Sequence, residues 1–293
     1  MNRITKILSV FALSLIACLT SINAAEKTVP AVQTSVLDQE NLVAWCIVPF
    51  DASKRTPEQR AIMLKELGLK KCAYDWRAQH VEEFEQEILS YQKHGIEFFA
   101  FWGEHPKAFE LFEKYDLKPQ IWRMMSQPNA ETQQQKVDQA VNSILPLVKK
   151  TQTLQLSLGI YNHGGWSGEP ENLVAVCEKL HQLGYGHVGI VYNFHHAHDR
   201  IADWEVSLQL MLPYLHCLNI NGMNDHAKPK ILGLGQGQYE RSMIQSILTS
   251  GYSGPIGILD HRSELDAKKS LQENLEGLDV IKREMLSTGE NQK

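Results

Sequence analysis

The chain is poor in several features that would assign it quickly. Its five cysteines are scattered and include no Cys-x-x-Cys pair, so neither a disulfide framework nor a thiolate metal site is expected. Lysine and arginine, 29 together, are outnumbered by 34 aspartates and glutamates, which leaves no basic surface for a phosphate backbone and excludes nucleic acid as a partner. No apolar run reaches the roughly 20 residues that a bilayer-spanning helix needs. No glycine-rich phosphate turn follows the first strand-like run, which argues against an open dinucleotide-binding sheet.

The longest apolar run is 7–19, and Arg3 and Lys6 precede it. That is the make-up of a secretory leader. Ile22, Asn23 and Ala24 before Ala25 read as a cleavage site, giving a signal peptide at 1–24. Leu15-Ile16-Ala17-Cys18 also reads as a lipobox, in which Cys18 would carry lipid and give the only membrane attachment. Either route implies export, to the periplasm or the envelope. Residues 25–40 are polar and read as a flexible lead-in, 41–287 as one folded domain, and 288–293 as a tail.

Within the domain, short runs rich in β-branched and aromatic residues alternate with longer amphipathic segments. Strands are expected at 42–48, 71–74, 97–101, 120–124, 154–160, 187–192, 217–220 and 255–259. Helices are expected at 56–67, 80–93, 106–115, 131–149, 170–183, 200–213, 238–250 and 264–286. Strict strand–helix alternation implies a parallel sheet with right-handed crossovers. Eight such units predict an α/β fold, a single (β/α)8 TIM barrel, with any active site on the loops after the strands.

Each expected strand delivers polar or aromatic residues to that rim. The second carries Asp75, Trp76 and Arg77, the third Trp102, Glu104 and His105, and the fourth Trp122 and Arg123. The fifth carries Tyr161, Asn162 and His163, with Trp166 after two glycines. The sixth ends in Asn193-Phe194-His195-His196-Ala197-His198-Asp199, the seventh in Asn219 and Asn221, and the eighth in Asp260 and His261. Seven of the twelve histidines fall just past a strand end, which makes a small-molecule site at one mouth the expected reading. His196 and His198 share one side of an extended chain, where they could face one ion or serve as an acid–base pair. The tryptophans tilt the ligand toward carbohydrate. Arg77 either holds a ligand or neutralises Asp75. The glycine-rich stretch 233–237 lacks a following lysine and reads as a structural loop rather than a phosphate site.

The segments 41–51, 74–77, 161–163, 192–196, 218–223 and 251–261 together resemble the sugar phosphate isomerase/epimerase, or xylose isomerase-like TIM-barrel, superfamily, in its exported branch. The resemblance implies a divalent metal held by Glu, Asp, His and Glu from strands 5 to 8, and proton transfer through an enediolate. By position these ligands fall near Asn162 or His163, on Asn193 and His196, on Asn219, and near Asp260. Asparagine is a poor ligand for a transition metal, so a rearranged site of His163, His196 and Asp260 is the expectation if Mn, Zn or a similar ion is bound. Some exported members of the superfamily cleave 3-keto-glycosides by β-elimination. His196 is then the expected base or ligand, His163 or Asp260 its partner, and Glu104 a further acid. Asp75, Trp76, Arg77, Trp102, Arg123, Asn162, Asn193, Asn219, Asn221 and His261 are the expected sugar contacts. The reading is an isomerase, epimerase or lyase; the alternative is a sugar-binding barrel that has lost the metal.

Overall fold

The structure is a computed structural model that describes residues 33–290. The expected leader 1–24, the lipobox at Cys18, residues 25–32 and residues 291–293 lie outside the described residues. Eight parallel strands close into one barrel in chain order. They are β1 (Leu42–Trp45), β2 (Lys71–Tyr74), β3 (Glu97–Trp102), β4 (Gln120–Arg123), β5 (Leu158–Tyr161), β6 (Val188–Asn193), β7 (Leu215–Ile220) and β8 (Ile256–Leu259). Around them lie α1 (Pro57–Glu66), α2 (Phe84–His94), α3 (Pro106–Lys114), α4 (Gln133–Leu154), α5 (Pro170–Gln182), α6 (Trp204–Met211), α7 (Glu240–Thr249) and α8 (Ala267–Glu290). This is the (β/α)8 barrel expected from the alternation.

Local chemistry fixes the helix starts. Thr56 and Gln59 form a reciprocal capping box at α1, with Pro57 at the first helical position, and Thr132 with Gln135 does the same at α4. Several boundaries differ from expectation, among them α2, which starts at Phe84 rather than 80, and β1, which ends at Trp45 rather than 48. Helix α4 continues to Leu154, and β5 starts only at Leu158, because Gln155 adopts a left-handed conformation that ends the helix there. Helix α6 begins at Trp204 rather than 200, because Arg200 is held in a short 3-10 turn by Glu169, Glu171 and Asp203. Residues 33–40 are not an unstructured lead-in: two 3-10 turns, Thr34–Leu37 and Gln39–Asn41, bury Val36 and Leu37 in the main core. No described helix is long and apolar enough to cross a membrane.

Successive strand residues face opposite ways. Leu42, Ala44, Ile121, Leu158, Ile190, Ile256 and Ile258 pack in the core shared with the helices. Val43, Trp45, Ala73, Phe99, Trp122, Tyr161, Val191, Cys217 and Leu259 form a second cluster that fills the barrel interior. Trp45 meets Trp122 edge-on at 4.8 Å between centroids, and Trp102 meets Tyr161 at 4.7 Å. These four rings plug the upper barrel and leave no space for a side chain at Gly159, where an added Cβ would lie 2.4 Å from Val191 Cγ2 and 3.1 Å from Trp122 Cδ1. Gly159→Ala is therefore expected to overpack the plug, costing about 1–3 kcal/mol. A thermal melt checks it, and an unchanged melting temperature would refute the packing described.

Candidate active site

Above the aromatic plug, at the C-terminal ends of the strands, lies a cavity of about 540 Å³. Trp45, Trp102 and Tyr161 line its aromatic side, and Cys46, Phe50, Asp75 and Arg77 come from the first two strand ends. His163, His195, His196, His198 and His261 enter from the loops after β5, β6 and β8. His226 and Lys230 enter from the loop after β7.

The imidazoles form a chain of contacts. His163 lies 4.3 Å from His196, His196 lies 3.6 Å from His195, and His195 lies 5.1 Å from His261, between ring centroids. Burial holds His196 down to about 3 and His261 down to about 4, with the Lys230 ammonium among the charges that reinforce both. Burial pushes His195 lower still. All three are neutral near pH 7. Asp75 goes the other way. Burial lifts its carboxyl to about 7, against the Arg77 charge and the Val48 N–H, which donates to Oδ1 at 3.3 Å. Its Oδ2 has no protein partner among the described residues. Burial beside Asp75 likewise keeps the Cys46 thiol protonated.

Four lining residues have left-handed backbones without being glycine: two are His226 at φ 56° and Ala227 at φ 52°, and the other two are Cys46 at φ 62° and His261 at φ 46°. Cys46 and His261 face each other across the β1–β8 seam, where the His261 N–H donates to the Cys46 carbonyl at 3.4 Å. Such conformations cost on the order of 1–3 kcal/mol each and gather at functional sites.

Of the residues expected at the rim, Asp75, Arg77, Trp102, Tyr161, His163, His195, His196, His198, Asp199 and His261 line this one cavity. The others do not. Asp260 is fully buried, accepts from Ser270 Oγ and lies 3.8 Å from Arg262 Nε. It holds the base of the last loop instead of entering the site. Asn162 and Asn193 tie β5 to β6: Asn193 N donates to Asn162 Oδ1 at 2.7 Å, and Asn162 Nδ2 to the Asn193 carbonyl at 3.1 Å. Asn219 is buried inside the barrel against Gly257, and Asn221 donates to the Gly222 carbonyl at 2.7 Å. Trp76 donates to the Trp102 carbonyl and packs on Phe84 and Phe101. Glu104 and Arg123 are exposed and do not line the cavity. Trp122 is buried beneath it, and Trp166 bonds Gln133. His80 and His105 accept backbone N–H groups of Arg77 and Lys107, as local caps.

The expected metal triad therefore does not form. His163 and His196 are neighbours, but Asp260 is engaged elsewhere, and among the described residues no three His, Cys, Asp or Glu side chains are set to share an ion. The donor set does not fit a divalent metal.

Sequence reasoning missed Trp45, Cys46, His226 and Lys230. Trp45 and Cys46 lay inside the first strand-like run, where inward direction is not readable. Lys230 lies in an irregular loop held over the cavity by His198, whose Nδ1 lies 2.7 Å from the Asn224 carbonyl and Nε2 2.9 Å from the Lys230 carbonyl, each neutral tautomer donating to one of the two.

The chain shares its fold with xylose isomerase-like TIM barrels. Among solved structures it is similar to a 3-keto-D-glucoside 4-epimerase, YcjR, from E. coli (11% identity, 83% of this chain and 99% of that one, TM-score 0.61). It is also similar to the IOLI protein with a bound zinc atom (12%, 83% and 98%, TM-score 0.65). A third is a xylose isomerase domain-containing protein from Salmonella typhimurium LT2 (12%, 82% and 98%, TM-score 0.59). No family model matches the chain, and no curated protein matches it.

The raised Asp75 carboxyl has a measurable consequence. In the unfolded chain it ionises near 3.9, whereas in the native cavity it keeps its proton up to about 7. Below about pH 4 both states are protonated and burial is not penalised. Between about pH 4 and pH 7 the unfolded state gains, and above pH 7 the loss is constant, at most about 4 kcal/mol at 1.36 kcal/mol per tenfold change in proton affinity. Asp75→Asn keeps an acceptor for Val48 and removes the charge. Its melting temperature is expected to exceed the wild type's by a margin that grows from pH 5 to pH 7.5. A margin that does not change with pH would show that Asp75 is ordinarily ionised.

Proposed function

We propose that the cavity is an active site for proton transfer on a small sugar or glycoside: isomerase, epimerase or keto-glycoside β-elimination chemistry. One observation carries this reading. The same enclosed space holds a carboxyl lifted to about 7 and imidazoles held neutral. A group that titrates near the working pH is the most effective general acid–base catalyst, and a neutral imidazole can donate N–H to a carbonyl oxygen without competing for the proton.

In the proposed step, Asp75 as carboxylate removes the proton from the carbon beside the substrate carbonyl. His196 donates its N–H to that oxygen as it gains negative charge. The protonated Asp75 then returns the proton, either to carbon or to a glycosidic oxygen that leaves from the β position. His163 and His261 are further substrate contacts, and Trp102 and Tyr161 offer aromatic faces to a sugar ring. The fold shared with a 3-keto-D-glucoside epimerase supports a carbohydrate ligand. The leader sequence supports action outside the cytoplasm, in the periplasm or anchored at the envelope. Because the donor set does not fit a metal, the same reading makes the chemistry metal-independent. That misfit also favours the second reading, a sugar-binding barrel without turnover.

The test is deuterium exchange and turnover with 3-keto-glycosides and ketoses in D2O, before and after dialysis against EDTA. Turnover is expected to survive dialysis and to rise with pH through about 7, as Asp75 ionises. Asp75→Asn is expected to lower kcat/KM by about 10²–10⁴-fold. Binding without exchange or turnover would leave the sugar-binding barrel. Activity lost on dialysis and restored by Mn²⁺ or Zn²⁺ would reinstate the metal. Neither turnover nor a ligand-dependent melting shift with any sugar would overturn the carbohydrate reading.

A further inference from the structure

We propose that the sugar bound here is an acid, a uronate or aldonate whose carboxylate sits at the cavity mouth against Arg77 and Lys230. The inference rests on the sugar-site reading above and adds the substrate class. It starts from charge. The chain has 34 acidic residues, yet only Asp75 and Asp199 line the cavity, alongside two strong cations and six histidines. An acidic protein has thus kept its carboxylates away from this one concave surface.

Most described arginines have a carboxylate partner; among the described residues Arg123, which does not line the cavity, lacks one as Arg77 does. Arg55, Arg60, Arg200, Arg241 and Arg262 each have a carboxylate partner. Arg77, only two residues from Asp75, makes no ion pair among the described residues. Its Nη1 donates to the carbonyls of Trp76 at 2.7 Å and Asp75 at 3.3 Å, and its Cζ lies 5.4 Å from the Phe50 ring centroid. Those bonds fix the guanidinium and leave Nε and Nη2 without a protein acceptor among the described residues. Lys230 makes no ion pair among them either. His198 pins its backbone over the cavity. His261 marks where the two fields overlap: it packs edge-on against Phe50 at 4.0 Å, and the charges of both Lys230 and Arg77 act on it.

A carboxylate suits this arrangement. Arg offers a planar fork and Lys a mobile point charge, and charge-assisted bonds to carboxylate are among the strongest in proteins. Phosphate fits less well, since it favours a nest of backbone N–H groups or a helix N-terminus. The glycine-rich stretch that would supply such a nest is folded away. Gly237 N donates to Glu240, Leu234 N donates to Asn274, and Gly235 packs on Gly277. None of its residues lines the cavity. A bound carboxylate would also offset the push of Lys230 on His195, His196 and His261, raising their basicity when substrate is present.

Calorimetric titration at low salt and pH 7.5 tests this, with D-glucuronate and D-galacturonate against D-glucose and D-galactose, and with D-glucose 6-phosphate. At least one uronate is expected to bind about tenfold or more tightly than its neutral parent and than the phosphate. In Lys230→Gln that preference should fall about tenfold, and Arg77→Gln should reduce it independently. Lys230→Gln is expected to melt as the wild type does and is the deciding variant, since Arg77→Gln also removes the bonds to the Asp75 and Trp76 carbonyls and the Phe50 contact. Neutral sugars that bind as well as the uronates would overturn the acidic-substrate inference and leave the sugar site standing. A phosphate that binds best, or a uronate preference that Lys230→Gln retains, would also overturn it. If no sugar or acid binds at all, both readings fail.

Discussion

An eight-stranded barrel has an interior just wide enough to be filled by side chains, and every feature of this site depends on how it is filled. Trp45, Trp102, Trp122 and Tyr161 close the upper end as a tilted and edge-on cluster. Trp45 Nε1 donates to the Tyr161 hydroxyl at 3.3 Å, and Asn193 Nδ2 reaches the same oxygen. The plug is therefore held by hydrogen bonds as well as by packing, and it spans β1, β3, β4, β5 and β6. Because it fills the barrel interior, side chains that can reach a ligand stand above it. That is why the site is built from the first residues past each strand.

The same plug sets the electrostatics. The plug closes the space from below, and His195 is buried and His196 half-buried above it. Ionising either would place a charge beside neighbouring imidazoles and Lys230. Neutrality follows from burial and like charge together. Asp75 shares the space but sits on the β2 side, where burial outweighs the Arg77 and Arg60 charges and the backbone N–H groups that favour its ionised form. Asp75 thus stays protonated to neutrality, and His195, His196 and His261 stay unprotonated below it.

The fold was legible because its signals are local and repeated. Alternating periods, Thr56 and Thr132 capping boxes, and proline at helix starts recur along the chain, so errors were confined to ends such as Gln155 and Arg200. The site was legible only in part. Position after a strand correctly brought His163, His196, His261, Asp75, Arg77 and Trp102 to one mouth. It could not tell whether a polar residue faces the cavity or serves the backbone. Asn162 and Asn193 read as rim contacts, but parallel strands at a barrel top leave peptide groups that an amide side chain satisfies well, and both are engaged there. Lys230 was invisible for the opposite reason. It owes its place to His198, whose ring nitrogens sit against two carbonyls of an irregular loop, a tertiary fact with no sequence period.

Asp260 shows how one misplacement changes the chemistry. A carboxylate at the end of the last strand reads as a ligand. Here it is buried, pushed up to about 8 by burial, and bonded by Ser270 from α8. Its own N–H donates to the Trp45 carbonyl at 3.0 Å, and the next N–H, of His261, donates to Cys46. Both partners of that second bond are left-handed non-glycines, a conformation that persists only where its surroundings over-determine it. Asp260 and Ser270 supply that constraint from α8, and the Trp45 plug supplies it from β1. The residue that seemed to hold a metal instead fixes the peptide that turns His261 toward Phe50 and the cavity. The strain at the seam is thus the means by which the barrel's closing bond sets the position of a site residue.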